Sequence, residues 1–280
     1  MIAAGFDYAA PDSVDEAIRL LVEGGEDAKL LAGGHSLIPL MKVRLAAPTL
    51  LVDLRRVPGL RGVSSEDSEL RIGAMTAHAE LADAKAGLLA TAAGQIADQQ
   101  VRNRGTIGGS LAHADPASDL PAVVLAAEGR VALKGAGGER EVAAADLFED
   151  YLTTAVRADE VITEVRVPKL PGYGFGYEKF ARRSEDWAMV GVCALVKATD
   201  GTCEDVRVGL THMGSTPLRA GAVEEALRGQ PLDAGRIGEA AEQAAEGTSP
   251  PGDLNATPDY KRHLARVLCR RALAEAAGIS

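Results

Sequence analysis

The sequence predicts an α+β fold built as two small lobes, residues 1–54 and 55–170, followed by an α+β domain over 171–280. Three observations carry that prediction. Short apolar runs read as strands alternate with helical stretches up to about residue 168, which gives mixed α and β lobes. Beyond PKLPGYGFGY the pattern switches to three runs of period two, read as a three-stranded antiparallel sheet, and then to helices. Two glycine-rich stretches, LLAGGHSL at 30–37 and VRNRGTIGGSLAHADPASD at 101–119, sit one in each of the first two lobes.

Each element has its own reason. Residues 11–25 form a helix: Ser13 and Glu16 have the spacing of a capping box, Val14, Ala17, Ile18 and Leu21 share a face, and Gly24 and Gly25 stop it. Strands at 29–32 and 50–54 complete the first lobe, and residues 37–45 between them read as helical or turn-like. The second lobe opens on a strand at 70–72. Helices are predicted at 76–85, 88–97 and 118–128, a hairpin joins 130–134 to 141–143 across Gly135 and Gly138, and a strand at 161–167 ends the lobe at Pro168. The three period-two runs are 175–181, 190–198 and 203–211, the last two joined through Asp200 and Gly201, a pair that suits a tight hairpin turn. Helices follow at 222–227, 235–245 and 258–277. In the last of these, Tyr260, Leu264, Val267, Leu268 and Ala272 make an apolar stripe. Lys261, Arg262, Arg266, Arg270 and Arg271 read as a solvated basic face, with docking to an acidic partner as the alternative.

Composition narrows the function. At 280 residues and 46% hydrophobic, the chain can bury ordinary cores. A net charge of −10 sets up no cationic field for phosphates, and 4% aromatic residues leave little for base stacking, so no nucleic acid is expected as partner. Cys193, Cys203 and Cys269 lie far apart with no C-x-x-C, which points to reduced thiols in the cytoplasm. Three thiols are also too few for an iron–sulfur cluster of the chain's own, which takes about four. No apolar run reaches the roughly 20 residues of a membrane span. The start, MIAAGFDYAAPD, lacks the basic region of a secretory signal. Peripheral placement at the inner face of the membrane is the alternative to a free cytoplasmic location.

The chemistry is concentrated in the glycine stretches. In the first, an apolar strand runs into GGHS at the head of a helix, where backbone N–H groups converge as they do in phosphate sites. The amides of Gly33, Gly34, His35 and Ser36 are the expected donors. Lys42 and Arg44 are candidate counter-charges for a phosphate, with exposed helix positions as the other reading. No second histidine or cysteine at ligand spacing accompanies His35, so no metal is expected. The second stretch mixes Arg102 and Arg104 with three glycines, the hydroxyls of Thr106, Ser110 and Ser118, and the carboxylates of Asp115 and Asp119. No regular helix asks for that mixture; an anion nest of consecutive amides does, and a glycine turn before a capped helix is the plainer reading. Two anion loops in one chain point to a pyrophosphate held between two lobes, as a dinucleotide such as FAD would supply. His113 and Asp115 lack any nucleophile arrangement, so no catalytic dyad is expected.

AGGHSLIPLMKVRLA at 32–46 and VRNRGTIGGSLAHADPASDLPA at 101–122 resemble the two FAD-binding signatures of the medium (flavoprotein) subunits of the molybdenum hydroxylases, the carbon monoxide dehydrogenase and xanthine dehydrogenase family. The resemblance continues through YEKFARRSEDWAMVGV at 177–192 and SPPGDLNATPDYKRHLARVLCRRAL at 249–273. It implies a two-lobed FAD-binding fold of the PCMH or vanillyl-alcohol-oxidase type, followed by the family's C-terminal domain. It also implies that Leu30, Leu31, Ala32, Gly33, Gly34, His35, Ser36 and Leu37 wrap the FAD pyrophosphate. Thr106, Gly108, Gly109 and Ser110 would close over the cofactor, although many relatives carry asparagine where this chain has Ser110. By the same resemblance Asp119 reaches the ribityl hydroxyls (a helix cap is its other reading) and Ile162 packs near the adenine or flavin. Lys179 would offer a cation near the pyrimidine end, and Trp187 would lie against the isoalloxazine ring unless it is a core anchor. With that face covered, a quinone or other small acceptor is favoured over NAD.

The role implied is electron transfer within a complex. A large molybdopterin subunit oxidises the substrate, a small subunit with 2Fe-2S clusters passes electrons to this chain, and the assembly is a dimer of heterotrimers. Two alternatives stand beside it: a stand-alone flavin oxidoreductase of the UDP-N-acetylmuramate reductase type, and an adaptor that keeps the fold without flavin.

Overall fold

Three parallel strands, not two, carry the first lobe in this computed structural model, which describes residues 2–279. The unforeseen strand is β1 (Asp7–Ala9), whose side chains are exposed or half-buried and so leave no alternating signature. It is followed by α1 (Val14–Gly24), β2 (Ala28–Leu31), α2 (Leu37–Lys42) and β3 (Leu50–Asp53), with β3 central in the order β1-β3-β2. Ser13 caps α1 by accepting from the Glu16 amide at 3.1 Å, but the Glu16 carboxylate accepts from Asp12 rather than Ser13, displacing the capping box by one residue. Ala17, Ile18 and Leu21 pack on Val52 and Leu54 to form this lobe's core.

The second lobe is a five-stranded antiparallel sheet. Its strands are β4 (Val63–Ser65), β5 (Glu69–Gly73), β6 (Arg130–Gly135), β7 (Gly138–Ala143) and, after the small pair β8 (Phe148–Asp150) and β9 (Thr153–Thr154), β10 (Val161–Pro168). The spatial order β4-β5-β10-β6-β7 puts the last strand in the middle, which is why Val161 and Val165 are fully buried. Short helices sit on this sheet: α3 (His78–Ala82), α4 (Leu88–Gly94), α5 (Gln99–Arg102), α6 (Ile107–His113), α7 (Asp119–Ala126) and α8 (Ala144–Leu147). Helix α7 is buried on nearly every side because it lies between this lobe and the C-terminal sheet.

The stretch 101–119, expected to be irregular, is largely helical. Side-chain caps override the glycines: Asp98 accepts from the Val101 amide at 2.8 Å to start α5, and Thr106 accepts from the Gly109 amide at 3.1 Å to start α6. Ala114, in the left-handed region at φ 51°, ends α6.

The C-terminal sheet has four antiparallel strands rather than three: β11 (Tyr173–Phe180), β12 (Val190–Thr199), β13 (Thr202–Thr211) and β14 (Leu218–Arg219), the last too short to show a period. Asp200 and Gly201 make the predicted turn with φ of 49° and 75°. After α9 (Gly221–Leu227) and α10 (Ala234–Ala241), helix α11 (Pro258–Ala277) lies across β11 and β12. The contact is close: a Cβ added to Gly176 would stand 2.3 Å from the Ala272 carbonyl oxygen. Two assignments on α11 change. Tyr260 is 43% exposed and leaves the stripe, whereas Lys261 is fully buried on the same face as Leu264, Leu268 and Ala272, neutralised by Asp253 at 2.6 Å. No helix among the described residues is long and apolar enough to cross a membrane.

Candidate cofactor site

The two glycine stretches meet backbone to backbone. A Cβ added to Gly33 would fall 2.3 Å from the Arg104 carbonyl oxygen and 2.8 Å from Gly105 Cα, so only glycine lets the first lobe approach the second here. Gly34, at φ 80°, turns the chain from β2 into α2. Gly108 serves a close approach within the second lobe, since its Cβ would stand 2.7 Å from the Ala74 carbonyl oxygen. Above this junction lies one cavity of about 590 Å³ walled by both lobes and by the C-terminal domain, a size ordinary for small-molecule sites.

The two stretches offer a ligand different things. Among the described residues, no acceptor takes up the amides of Gly33, Gly34, His35 or Ser36, and all four residues line the cavity. The amides at the head of α6 are already satisfied: Ile107 donates to Thr76, Gly108 to Ala74, and Gly109 to the Thr106 hydroxyl. The anion nest expected there is therefore absent. The second stretch contributes a smooth wall at Gly108 and Gly109 and the hydroxyl hydrogen of Thr106, while Ser110 shares a hydrogen bond with Ser118 at 2.6 Å. Backbone donation to an anion falls to the first loop, with the Thr106 hydroxyl as the one donor from the second.

The expected cations lie elsewhere. Arg102 donates to the carbonyls of Ile96 and Ala97, and Lys42, Arg44 and Arg104 do not line the cavity, whereas Arg157 does. Leu30, Ala32, Leu37 and Ile162 line it as well, but Leu31 does not. Successive strand residues face opposite ways, and Leu31 is buried with Met41 and Leu51.

One wall is a buried polar cluster. Asp119, 3% exposed, accepts from Tyr177 Oη at 2.5 Å and from Lys179 Nζ at 3.0 Å, and Lys179 also donates to the Gln95 carbonyl at 3.2 Å. Burial pushes the Asp119 carboxyl above its ordinary range, against the pull of Lys179 and Tyr177. Burial, and then Asp119, hold Tyr177 well above the usual phenol. Asp119 is thus no helix cap: its side chain pins α7 to β11, and Lys179 is a neutralised partner rather than a free cation. Trp187 is 55% exposed at the cavity's edge, which rules out a core anchor.

His78 escaped the sequence reading. It lines the cavity beside Gly105, almost wholly buried, with Nδ1 lacking a partner among the described residues. Burial, and then the nearby His35, hold its pKa down to about 4, so the ring is neutral at neutral pH. His113 also lines the cavity, but Asp115 turns its carboxylate to the Ala117 amide, and no dyad forms. The thiols of Cys193 and Cys269 are pushed up to about 12 by burial, which leaves them inert.

Comparison with known proteins places this architecture. Residues 4–170 match the family model described as the FAD binding domain in molybdopterin dehydrogenase, and residues 175–276 match the CO dehydrogenase flavoprotein C-terminal domain. The chain belongs to the FAD-binding medium-subunit family of the molybdenum hydroxylases. It is 42% identical to the carbon monoxide dehydrogenase medium chain of Hydrogenophaga pseudoflava, spanning 98% of this chain and 97% of that one. With subunit alpha of the 6-hydroxypseudooxynicotine dehydrogenase complex of Paenarthrobacter nicotinovorans the identity is 40%, over 97% and 94% of the two chains. Among solved structures, carbon monoxide dehydrogenase from H. pseudoflava lacking the Mo-pyranopterin moiety superposes with a TM-score of 0.96 at 44% identity, covering 99% of each chain. Quinoline 2-oxidoreductase from Pseudomonas putida 86 gives 0.95 at 33%, again over 99% of each.

The medium-subunit chain is therefore an FAD-dependent oxidoreductase subunit, and FAD is its cofactor. The residues fit that group. Four unclaimed amides that line the cavity suit a diphosphate, and only glycine at position 33 lets the two lobes close beneath it. With medium subunits matched over the whole chain, the stand-alone reductase reading is not favoured.

Proposed function

We propose that this chain is the electron-transfer subunit of a molybdenum-containing hydroxylase complex. Electrons come from the 2Fe-2S clusters of a small partner subunit and leave to a terminal acceptor. Substrate is oxidised on a large molybdopterin subunit, and the assembly is a cytoplasmic dimer of heterotrimers. FAD, when bound, supplies the two-electron redox chemistry. The observation that carries the reading is the junction at Gly33 and Arg104, where two lobes meet beneath one cavity and present unclaimed amides from one side only.

Within that reading the chain's residues divide the work. The amides of Gly33, Gly34, His35 and Ser36 donate to the diphosphate, with Leu30, Ala32 and Leu37 shaping the approach, and the Thr106 hydroxyl donates from the other side. Gly108, Gly109 and Ser110 form the wall opposite. Asp119, held by Tyr177 and Lys179, presents its remaining lone pairs to the ribityl hydroxyls, and Ile162 packs against the cofactor's apolar surface. Trp187 covers the ring from the open edge. The lobes 1–54 and 55–170 hold the cofactor, and the domain 171–280 closes the third wall. Relatives with 33% to 42% identity are named for carbon monoxide, nicotine, glyceraldehyde and caffeine, which supports placing the choice of substrate on another subunit.

Absorption spectroscopy tests the assignment. The chain purified with its co-expressed partners is expected to show flavin bands at roughly 370 and roughly 450 nm together with iron–sulfur absorption. Purified alone, it should show the flavin bands only. Substrate should bleach the flavin in the complete complex and leave the lone chain unchanged; bleaching of the lone chain by its own substrate contradicts the proposal.

A further inference from the structure

The segment SPPGDLNATPDYKRHL at 249–264 lies outside the cavity, yet its buried lysine reaches the cavity wall through a single histidine. Lys261 Nζ donates to Asp253 Oδ2 at 2.6 Å and faces His212 Nε2 at 3.1 Å. Asp253 is itself fixed by the amides of Asn255 and Ala256, at 2.7 and 2.9 Å. Burial raises its pKa, but the lysine and the two amides overcome that and hold it at about 2, so the carboxylate is charged.

A ring nitrogen facing an ammonium group can only accept, which puts the His212 proton on Nδ1. Nδ1 then donates to the Ala188 carbonyl oxygen at 2.8 Å, while the His212 backbone amide donates to the Pro116 carbonyl at 2.8 Å. Ala188 follows Trp187, and Pro116 stands just before Ser118 and Asp119 at the head of α7. His212 also holds a left-handed backbone, φ 63°, unusual for a residue other than glycine and typical of positions that their surroundings determine. One residue thus ties down two segments that line the cavity, that of Trp187 and that of Ser118 and Asp119.

We propose that Asp253, Lys261 and His212 form a positioning relay that holds the Trp187 segment at the cavity through the Ala188 carbonyl. What this does for the cofactor rests on Trp187 covering the ring, as proposed above; the hold on the segment does not.

Two substitutions at one position separate the relay from general stability. Asn at 212 keeps an N–H in the place of Nδ1 and tolerates the left-handed backbone; Gln places its amide where Nε2 was and leaves Ala188 without a donor. Hydrogen exchange is measured on the full chain without flavin, so a failure of the flavin reading cannot produce or hide the result. The reporter is residues 181–190, where the Met189 amide donates to the Phe180 carbonyl at 2.8 Å. In His212→Gln this segment is expected to exchange about five-fold faster, the ratio that one ordinary hydrogen bond corresponds to. His212→Asn should stay near the parent rate, and β10 should be unchanged in both. An unchanged segment in His212→Gln, or an equal rise in both variants, overturns the proposal. Should His212→Gln fail to fold, Lys261→Met replaces it: freed of the ammonium, the imidazole can move its proton to Nε2, and the segment should exchange faster. A parent rate there overturns the proposal equally.

Discussion

Gly33→Ala is expected to yield a chain that no longer retains flavin. The added methyl would meet three backbone atoms, the Arg104 carbonyl oxygen at 2.3 Å, Gly105 Cα at 2.8 Å and the Arg104 carbonyl carbon at 2.9 Å. Backbone cannot step aside as a long side chain does, so the first lobe must back away from the second. Overpacking of this kind costs about 1–3 kcal/mol of stability. The cost to binding is larger in effect, because the displaced loop carries all four unclaimed amides. Losing two charge-assisted hydrogen bonds at about 1.5 kcal/mol each weakens affinity about a hundredfold. Flavin content per chain, read from absorbance, checks this. Gly137→Ala, where an added methyl meets nothing within 4 Å, is the control and should keep its flavin. Full flavin retention in Gly33→Ala contradicts the junction's role.

Lys179→Met is expected to be the most destabilising single change at the site. The ion pair with Asp119 is almost completely removed from solvent, at 6% and 4% side-chain exposure. Breaking such a pair strands a buried charge at a cost of about 3–5 kcal/mol. The sign of the pH dependence follows from Asp119, whose folded-state pKa is already raised by burial and loses its main opposing influence in the variant. A carboxyl with a raised folded pKa binds its proton more readily folded than unfolded, so the penalty is full well above that pKa and shrinks as pH falls through it. Urea unfolding at pH 8 and pH 5 should therefore show a large loss at the higher pH and a smaller one at the lower. Asp119→Asn added to Lys179→Met should recover part of the loss at pH 8, because the stranded charge is gone. An equal penalty at both pH values would mean that Asp119 is not what the lysine compensates.

How far the sequence carried depended on whether a residue's role was written in its neighbours. The hairpin through Asp200 and Gly201 and the helix from Pro258 were legible because turn chemistry, period and caps all lie within a few positions. So were the two glycine stretches, as places where backbone must come close. What α6 does was not legible: a helix containing two adjacent glycines goes against propensity, and only the Thr106 cap with the contacts to Ala74 and Thr76 explains it. Lys179 and Asp119 stand 60 positions apart, so a lone lysine read as a free cation. Lys261 reads as one of a solvated run because Asp253, in the loop before the helix, and His212, 49 positions away, meet it only after folding. Strand β1 is hidden by its brevity and exposure, and the alternation that turns Leu31 from the cavity shows only once β2 is placed between the lobe's core and the cavity. His78 had no local signal, since its burial beside Gly105 exists only after folding.

Residue-resolved hydrogen exchange with and without FAD tests the central claim most directly. Among the described residues the amides of Gly33, Gly34, His35 and Ser36 have no acceptor, whereas those of Ile107, Gly108 and Gly109 do. Bound FAD is expected to slow exchange at the four first-loop amides by about a hundredfold or more as the diphosphate takes them up. The three α6 amides should be slow already and change little. If the first-loop amides exchange at the same rate in the flavin-loaded chain, the diphosphate is held elsewhere and the account fails.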